Sequence, residues 1–177
     1  MSKFKYYIYK GLSMIKGNRC MVDYYRKCGI SIGEETHVFS KLVSAEPYLI
    51  SIGNHCTVAT NVTFLTHDAC IGALRDRKQA SDLCGPITIG NHCFIGSGAI
   101  LLYGVSIADG CVVAAGSVVT KSVTTPNVII GGNPAKIIGN TDDFIKKYEH
   151  SFLALHGLSP EERKNKILED PNKLINR

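Results

Sequence analysis

Large aliphatic residues recur at every sixth position through the middle of the chain. Between residues 89 and 119 the series is unbroken. Its members are Ile89, Ile95, Leu101, Ile107, Val113 and Val119. This period matches neither the roughly 3.6 residues per turn of an α-helix nor the simple alternation of a strand. It predicts instead a repeat of short strands.

A second inward position accompanies these anchors. Four residues after each anchor stands a small or medium side chain, in the order Cys93, Ala99, Val105, Cys111, Ser117 and Val123. Gly90 and Gly96 directly follow their anchors, where a larger side chain would crowd a corner. The same register runs earlier from Ile32 to Phe64. Because a six-residue unit cannot bury a core alone, we expect three units to close one coil of a stacked solenoid.

Residues 68–86 interrupt the register, immediately after His67. A 19-residue stretch without evident structure of its own is uncommon in a compact domain unless it has a function. Charged residues such as Arg75, Arg77 and Lys78 make it polar. We therefore expect either a lid over a site or a tolerated surface insertion.

Both ends of the chain lack the six-residue period. Residues 3–28 predict one or two short helices that pack on the first coil, with contact to a membrane surface as the alternative. After residue 139 the pattern is helical, and Ser159 with Glu162 forms the start signal of a last helix. We expect a mainly β protein with an N-terminal helical segment at 1–29, a β-helix domain at 30–138 and a C-terminal helical cap at 139–177.

Composition narrows the class of protein. The 45% hydrophobic share suits one domain with a closed core, and no apolar run approaches the roughly 20 residues that span a bilayer. Seven cysteines without a CxxC pair favour reduced thiols over a disulfide framework or a zinc site. The 20 basic and 15 acidic residues suit an anionic small ligand better than nucleic acid. With no signal-peptide pattern, we expect a cytoplasmic protein.

Three segments resemble the hexapeptide-repeat acyltransferases: IGNHCFIGSGA at 89–99, AAGSVVTK at 114–121 and GGNPAKII at 131–138. The resemblance extends from about residue 30 to 138 and is closest to the galactoside, maltose and capsular-polysaccharide O-acetyltransferases. It implies a left-handed parallel β-helix that assembles as a homotrimer. It also implies acetyl-CoA as the donor, and as acceptor a hydroxyl group of a sugar or glycan precursor.

A hydroxyl is a poor nucleophile at neutral pH, so acetyl transfer requires a general base, and histidine titrates in the right range. The resemblance gives this role to His67; a solvated loop histidine is the alternative. Asp68 or Glu46 could orient its ring, and the sequence does not choose between them. For Asn61 the resemblance implies a contact to the acceptor or to the histidine, whereas a corner asparagine is the structural alternative.

The donor site can be argued from stacking. Ser97, Ala115 and Asn133 follow one another at intervals of three six-residue units, so a three-sided coil would align them on one edge. Beside Gly98 and Gly116, these positions would let a narrow ligand such as pantetheine lie against backbone amides and carbonyls. The resemblance implies CoA along this edge.

The resemblance adds further residues to the donor site. It implies CoA contacts for Thr120 and Lys121, and Lys136 is a candidate for the nucleotide phosphates. Phe94 stands where relatives often place a tryptophan beside CoA. The resemblance further implies that the histidine comes from one protomer and much of the CoA groove from the next.

Three other functions compete with this interpretation. An N-acetyltransferase acting on an amino sugar or amino acid would use the same base and donor. A non-catalytic structural β-helix would show the same period, because the period reports only a fold. A trimeric zinc carbonic anhydrase is strongly disfavoured, because no two histidines stand five residues apart.

Overall fold

The computed structural model describes residues 3–42, 44–74 and 82–175. The α-helices are α1 (Lys3–Lys16), α2 (Arg19–Lys27), α3 (Cys70–Leu74), α4 (Thr141–Tyr148) and α5 (Pro160–Glu169). The strands are β1 (Ser31–Ile32), β2 (His37–Val38), β3 (Ile50–Ile52), β4 (Thr57–Val58), β5 (Thr63–Phe64), β6 (His67–Asp68), β7 (Leu83–Cys84), β8 (Ile87–Ile89), β9 (Phe94–Ile95), β10 (Ile100–Leu101), β11 (Ser106–Ile107), β12 (Val112–Val113), β13 (Val118–Val119), β14 (Val128–Gly132) and β15 (Ala135–Asn140).

Three parallel sheets form the sides of the coil. Sheet A has the order β1-β3-β8-β11, sheet B runs β2-β4-β9-β12-β14, and sheet C runs β5-β10-β13. In the regular part of the chain, each coil contributes one strand to each sheet. The second coil contains β3, β4 and β5, the third contains β8, β9 and β10, and the fourth contains β11, β12 and β13. Between the third and fourth coils the paired residues are separated by three six-residue units, as for Ile95 and Val113. The predicted three-sided coil is confirmed there.

The anchors and the fourth-position residues point into the coil. Ile89, Ile95 and Leu101 are at most 1% exposed. The thiols of Cys56 and Cys93 stack on one inner corner and donate to carbonyl oxygens of the next coil, at 3.0 Å for Gly90 and 3.2 Å for Ala108. These thiols are free, as predicted. The apolar column is therefore continuous from coil to coil.

The N-terminal helices cover the open end of the first coil. Val38 donates its backbone N–H to the Asn18 side chain, which donates to the Val38 carbonyl in return, both at 2.7 Å. The Tyr25 hydroxyl is buried and donates to the Ser40 carbonyl at 2.9 Å. Arg26 donates to the carbonyl of Ile32 at 2.9 Å. Packing on the first coil is thus confirmed, and it satisfies backbone groups that an exposed strand edge would leave unpaired.

The 68–86 segment has more structure than expected. β6 and β7 pair antiparallel, with His67 opposite Cys84, and α3 lies between them. The Asp68 carboxylate accepts the backbone N–H of Cys70 at 2.8 Å, which caps α3. The expectation of an unstructured segment was wrong for these residues. Its charged part at 75–81, which includes Arg75, Arg77 and Lys78, lies outside the described residues.

The chain divides into two compact units, Met1–Thr141 and Asp142–Arg177. In the first unit, β15 turns back and pairs antiparallel with β14. In the second, α5 begins with the predicted capping box between Ser159 and Glu162. The C-terminal cap itself stays a prediction. Among the described helices, none has the length and apolar character needed to cross a membrane.

Candidate active site

His67 lies where the chain leaves sheet C, at the edge that leads to sheet A. We call this corner the CA edge. The Nδ1 atom of His67 is 2.8 Å from Oε2 of Glu46. Since an ionised carboxylate only accepts hydrogen bonds, Nδ1 carries the proton and Nε2 is left as the acceptor. The His67 side chain is 42% exposed, so the ring is open to a substrate.

Glu46 is held in place by a chain of hydrogen bonds. The Thr66 hydroxyl donates to the same Oε2 atom at 2.8 Å, and the Ser44 hydroxyl lies 2.7 Å from that of Thr66. Ser44 in turn accepts the backbone N–H of Glu46 at 2.9 Å. Because the Thr66 proton goes to the carboxylate, Ser44 must donate to Thr66. Every donor in the chain has an acceptor, which fixes the carboxylate against the imidazole.

The charges of the pair reinforce one another. The hydrogen bond to Glu46 is the main cause that raises the pKa of His67 above its ordinary value. The pKa of Glu46 is lowered, first by the bond to His67 and then by the bond to Thr66. Both shifts describe an ionised carboxylate beside the ring. The alternative partner, Asp68, caps α3 instead, so the structure favours Glu46.

Asn61 lies at a different corner, where the chain passes from sheet B to sheet C. We call this corner the BC edge. Asn61 adopts a left-handed backbone conformation with φ of 58°, and the equivalent positions in the next two coils are Gly98 and Gly116, with φ of 72° and 70°. This turn geometry accounts for asparagine at the corner, since asparagine tolerates it well. Among the described contacts, none joins Asn61 to His67, which follows it by about 20 Å along an extended chain.

Ser97 and Ala115 align on the BC edge as predicted. The Gly98 N–H donates to the Thr60 carbonyl at 3.0 Å, and the Gly116 N–H donates to the Ser97 carbonyl at 2.9 Å. The side chains of Ser97 and Ala115 are exposed. The edge is therefore narrow and lined by small residues. The N–H groups of these two glycines are used between coils, so they are not among the exposed amides that the predicted donor site requires.

Asn133 does not continue this column. Between the fourth and fifth coils Val113 lies opposite Ile130, so the separation is one position short of three full six-residue units. Ala115 is therefore followed by Gly132, and the predicted alignment of Asn133 was wrong. Asn133 lies instead in the turn between β14 and β15 and precedes Pro134 through a cis peptide bond.

The remaining predicted donor residues lie elsewhere. Leu101 pairs with Val119, so Thr120 and Lys121 follow β13 onto the CA edge. Lys136 is an exposed residue of β15, opposite Gly131. Phe94 is 44% exposed on the outer face of sheet B. In a single protomer, His67 and the pair Ser97 and Ala115 thus lie on two different edges, which sheet C separates.

Sequence reasoning missed Ser44 and Thr66. Neither belongs to a recognisable motif, and their contact depends on how the first coil stacks on the second. The spacing between these two coils is irregular. His37 lies opposite Thr57, 20 residues further along, and Ser44 is hydrogen-bonded to Thr66, 22 residues further along, so neither interval is a multiple of six. The signal that the sequence did offer was that Thr66 precedes the histidine.

Comparisons with known proteins agree with this fold. Residues 86–121 match the family model described as the hexapeptide repeat of succinyl-transferase. The chain is 44% identical to protein CapG of Staphylococcus aureus over 134 residues, which cover 74% of this chain and 75% of that protein. It is 37% identical to the galactoside O-acetyltransferase of Escherichia coli K12 over 120 residues, covering 67% of this chain but only 58% of that enzyme.

Solved structures give the same result. The hexapeptide-repeat acetyltransferase VCA0836 of Vibrio cholerae superposes with a TM-score of 0.56 at 30% identity, covering 64% of this chain and 63% of that one. Its complex with acetyl coenzyme A superposes with a TM-score of 0.54 at 28% identity, covering 64% and 61%. The chain belongs to the hexapeptide-repeat acetyltransferase family. Its fold class is the left-handed parallel β-helix, as predicted.

Proposed function

We propose that this protein is an acetyl-CoA-dependent O-acetyltransferase that acts on a hydroxyl group of a sugar or glycan precursor. His67 is the general base in a ternary complex of enzyme, donor and acceptor. The observation that carries the proposal is the 2.8 Å bond from Nδ1 of His67 to Glu46. It fixes the proton of the neutral ring on Nδ1, so the lone pair of Nε2 is available to a substrate whenever His67 is in its neutral form.

In the proposed reaction, Nε2 of His67 removes the proton of the acceptor hydroxyl as its oxygen attacks the thioester carbonyl. The new C–O bond forms, the C–S bond breaks, and the proton passes from Nε2 to the departing thiolate. The products are the acetyl ester and free CoA. Glu46 stabilises the imidazolium that exists during attack, because its carboxylate stays ionised beside Nδ1.

The small-residue column of the BC edge supports the donor assignment. Thr60, Ser97, Ala115 and Gly132 are exposed in successive coils. Such a surface fits a long, narrow ligand, whereas large side chains would block it. The relative from Vibrio cholerae has been solved with acetyl coenzyme A. Ser97 and Ala115 are thus proposed to contact CoA; Asn133, Thr120, Lys121 and Lys136 are proposed to complete its site.

The division of the site between two edges supports a homotrimer. If the CA edge of one protomer faces the BC edge of the next, His67 and the small-residue column meet in one cleft. The polarity of the outward side chains differs between the sheets, and this difference favours the arrangement. On sheet A they are hydroxylic, namely Ser31, Ser51, Thr88 and Ser106. On sheets B and C they are largely apolar, as at Phe94, Val112, Ile129, Ile100 and Val118.

A hydroxyl acceptor is favoured by the relatives, since one of them is named for O-acetylation of galactosides. The test is the variant His67→Ala. We expect kcat for acetyl transfer to fall by about 10²- to 10⁴-fold, because the general base is lost. Transfer is followed as thiol release with a panel of sugars, and acetyl-CoA affinity by calorimetry. Turnover that survives the substitution would contradict the assignment of His67.

A purely structural β-helix gives a different result in the same experiment. In that case the wild-type protein neither binds acetyl-CoA nor releases thiol with any acceptor. An N-acetyltransferase would bind acetyl-CoA but release thiol only with amino sugars or amino acids. The O-acetyltransferase proposal requires both donor binding and transfer to a hydroxyl.

A further inference from the structure

Helix α1 has two apolar faces, and only one of them packs on the protein. On the inner face, Tyr6 is buried with its ring centroid 6.0 Å from that of Tyr24, and the Tyr9 ring lies 5.1 Å from the same tyrosine. The other face is exposed to solvent, although its side chains are large and apolar. They are Phe4 (76% exposed), Tyr7 (63%), Ile8 (46%) and Leu12 (39%). A helix on the surface of a water-soluble protein normally carries polar residues on that side.

These four residues form one continuous stripe, which we call the outer stripe. At about 100° per residue they cover an arc of about 140° on the helix surface. Lys5 lies at one border of the arc and Lys10 at the other, and both are exposed. An apolar stripe bordered by lysines is typical of helices that lie in a membrane surface, because lysine stems extend along apolar surface while the ammonium groups stay among the headgroups.

The positive charge of the chain is concentrated around the same helix. Residues 3–22 contain five basic residues and no acidic one, whereas the rest of the chain carries 15 basic and 15 acidic residues. The formal net charge of +5 therefore belongs to this segment. It attracts an anionic surface, and it opposes contact between the outer stripes of two copies of the chain, because like charges would then meet.

The inner-face contacts hold α1 in place and leave the outer stripe available. The Lys27 ammonium donates to the Tyr9 hydroxyl at 2.9 Å, and the Lys41 ammonium lies 5.1 Å from the centre of the Tyr6 ring. The helix is thus already folded and oriented, so little ordering is required when the outer stripe binds. Its 14 residues suit a helix that lies in the plane of the interface.

We propose that the outer stripe docks this protein on the surface of a membrane that contains anionic phospholipids. Phe4, Tyr7 and Ile8 enter the boundary between headgroups and acyl chains. Lys5 and Lys10 contact the anionic headgroups. Packing on the protein and contact with a membrane then belong to opposite faces of α1. This docking does not depend on the acetyltransferase function.

The test is flotation of the full chain with two kinds of vesicle, without acetyl-CoA or acceptor. One kind is phosphatidylcholine alone, and the other contains about 30 mol% phosphatidylglycerol, which makes the surface negative. We expect binding to the anionic vesicles to be about a hundredfold or more stronger, since each basic residue near the surface adds attraction. Binding should weaken at about 0.5 M salt, because exposed charges are screened.

Ile8→Ser tests the apolar part of the outer stripe. It should lower binding to the anionic vesicles by about tenfold, because an apolar side chain no longer enters the interface. Since Ile8 lies outside the core, thermal unfolding followed by circular dichroism should match wild type. Ile145→Ser is the matched control, because Ile145 is 50% exposed on α4, a helix with two aspartates beside its two lysines. The control should bind as wild type does.

The double variant Lys5→Gln with Lys10→Gln tests the charged borders. It should lower the preference for anionic vesicles by about tenfold or more. Lys146→Gln with Lys147→Gln makes the same change in charge on α4 and should leave the preference intact. Absent binding, equal binding to both kinds of vesicle, or an equal loss in the α1 and α4 variants would overturn the proposal. So would an Ile8→Ser protein that changes its oligomeric state in size-exclusion chromatography but binds vesicles as wild type does, because the outer stripe would then be a contact between copies.

Discussion

The hydrogen bond between Glu46 and His67 determines which ring nitrogen of the histidine carries the proton and which carries the free lone pair. Glu46 binds Nδ1, so the basic lone pair belongs to Nε2, which faces away from the carboxylate. The same bond raises the pKa of His67. The ring is thereby a stronger base, but it also becomes protonated at a higher pH than a free histidine.

This pair predicts the pH dependence of catalysis. Activity requires neutral His67, so kcat/KM should fall as the pH drops through the raised pKa of His67. In Glu46→Gln the carboxylate that stabilises the imidazolium is gone, so the pKa of His67 falls and the acidic limb should move to lower pH. At high pH the variant should still be slower than wild type, because the imidazolium formed during attack is less stable. The measurement is the kcat/KM profile with acetyl-CoA as the varied substrate.

Asp68→Asn provides the control for this profile. Asp68 makes a smaller contribution to the raised pKa of His67, and its main contact is with the backbone N–H of Cys70. The acidic limb should therefore move much less than in Glu46→Gln. If Asp68→Asn shifts the limb as far as Glu46→Gln does, Glu46 does not have the role assigned to it.

At the residue scale the sequence predicted His67 as the base, which stays a prediction, and it did not single out a partner for the ring. His67 was recognisable because the repeat ends there and the family resemblance places a histidine at that point. The sequence did not choose between two candidates for the partner. Asp68 is adjacent to His67 in sequence, and Glu46 is 21 residues away. Only the stacking of the first coil on the second, together with the Ser44 and Thr66 bonds, decides between them.

At the scale of the coil, close backbone contact at the corners limits which residues fit. A Cβ atom added at Gly96 would lie 2.5 Å from the Ala115 nitrogen and 2.7 Å from the Val113 carbonyl oxygen. Both are backbone atoms of the next coil and cannot rotate away. The glycine after this anchor is therefore required by the stacking distance between coils.

Gly96→Ala should accordingly destabilise the protein. We expect the free energy of unfolding to fall by about 1–3 kcal/mol, the usual cost of overpacking a rigid site. Urea unfolding at a fixed protein concentration measures it, because assembly would make stability depend on concentration. Gly139→Ala is the matched control, since a Cβ there meets nothing within 4 Å. An equal loss in both variants would show that the close contact is not responsible.

The six-residue period predicted the strands correctly where the coil is regular. It predicted the sheets from β8 to β13 and the inward residues of each strand. It failed where the chain length per coil changes, because the alignment of Asn133 assumed three full six-residue units and the last coil is shorter. The segment after His67 could not be predicted in the same way, because α3 and the β6–β7 pair are local structures without a repeat.

At the scale of the whole molecule, the central feature is the separation of the proposed base from the proposed donor column. His67 lies on the CA edge, whereas Ser97 and Ala115 lie on the BC edge of the same protomer. Closed rings of identical subunits bring two different surface patches together at each interface. In the proposed trimer the two edges would meet, whereas in a single protomer sheet C separates them. The sequence alone gave no distance between these residues, so only the family resemblance predicted a shared site.

Subunit complementation tests this claim most directly. His67→Ala removes the base, and Ser97→Trp blocks the donor column of an otherwise intact protomer. Each variant alone should be nearly inactive, whereas co-expression in equal amounts should restore about a quarter of wild-type activity, because that share of randomly formed interfaces pairs two intact edges.

Thr88→Trp, an equally bulky change on the exposed face of sheet A, should remain active and so controls for bulk alone. Size-exclusion chromatography must show that both inactive variants still assemble. Activity restored in the mixed trimers is the predicted result. Mixed trimers that remain as inactive as either parent would contradict a site shared between His67 of one protomer and Ser97 of the next.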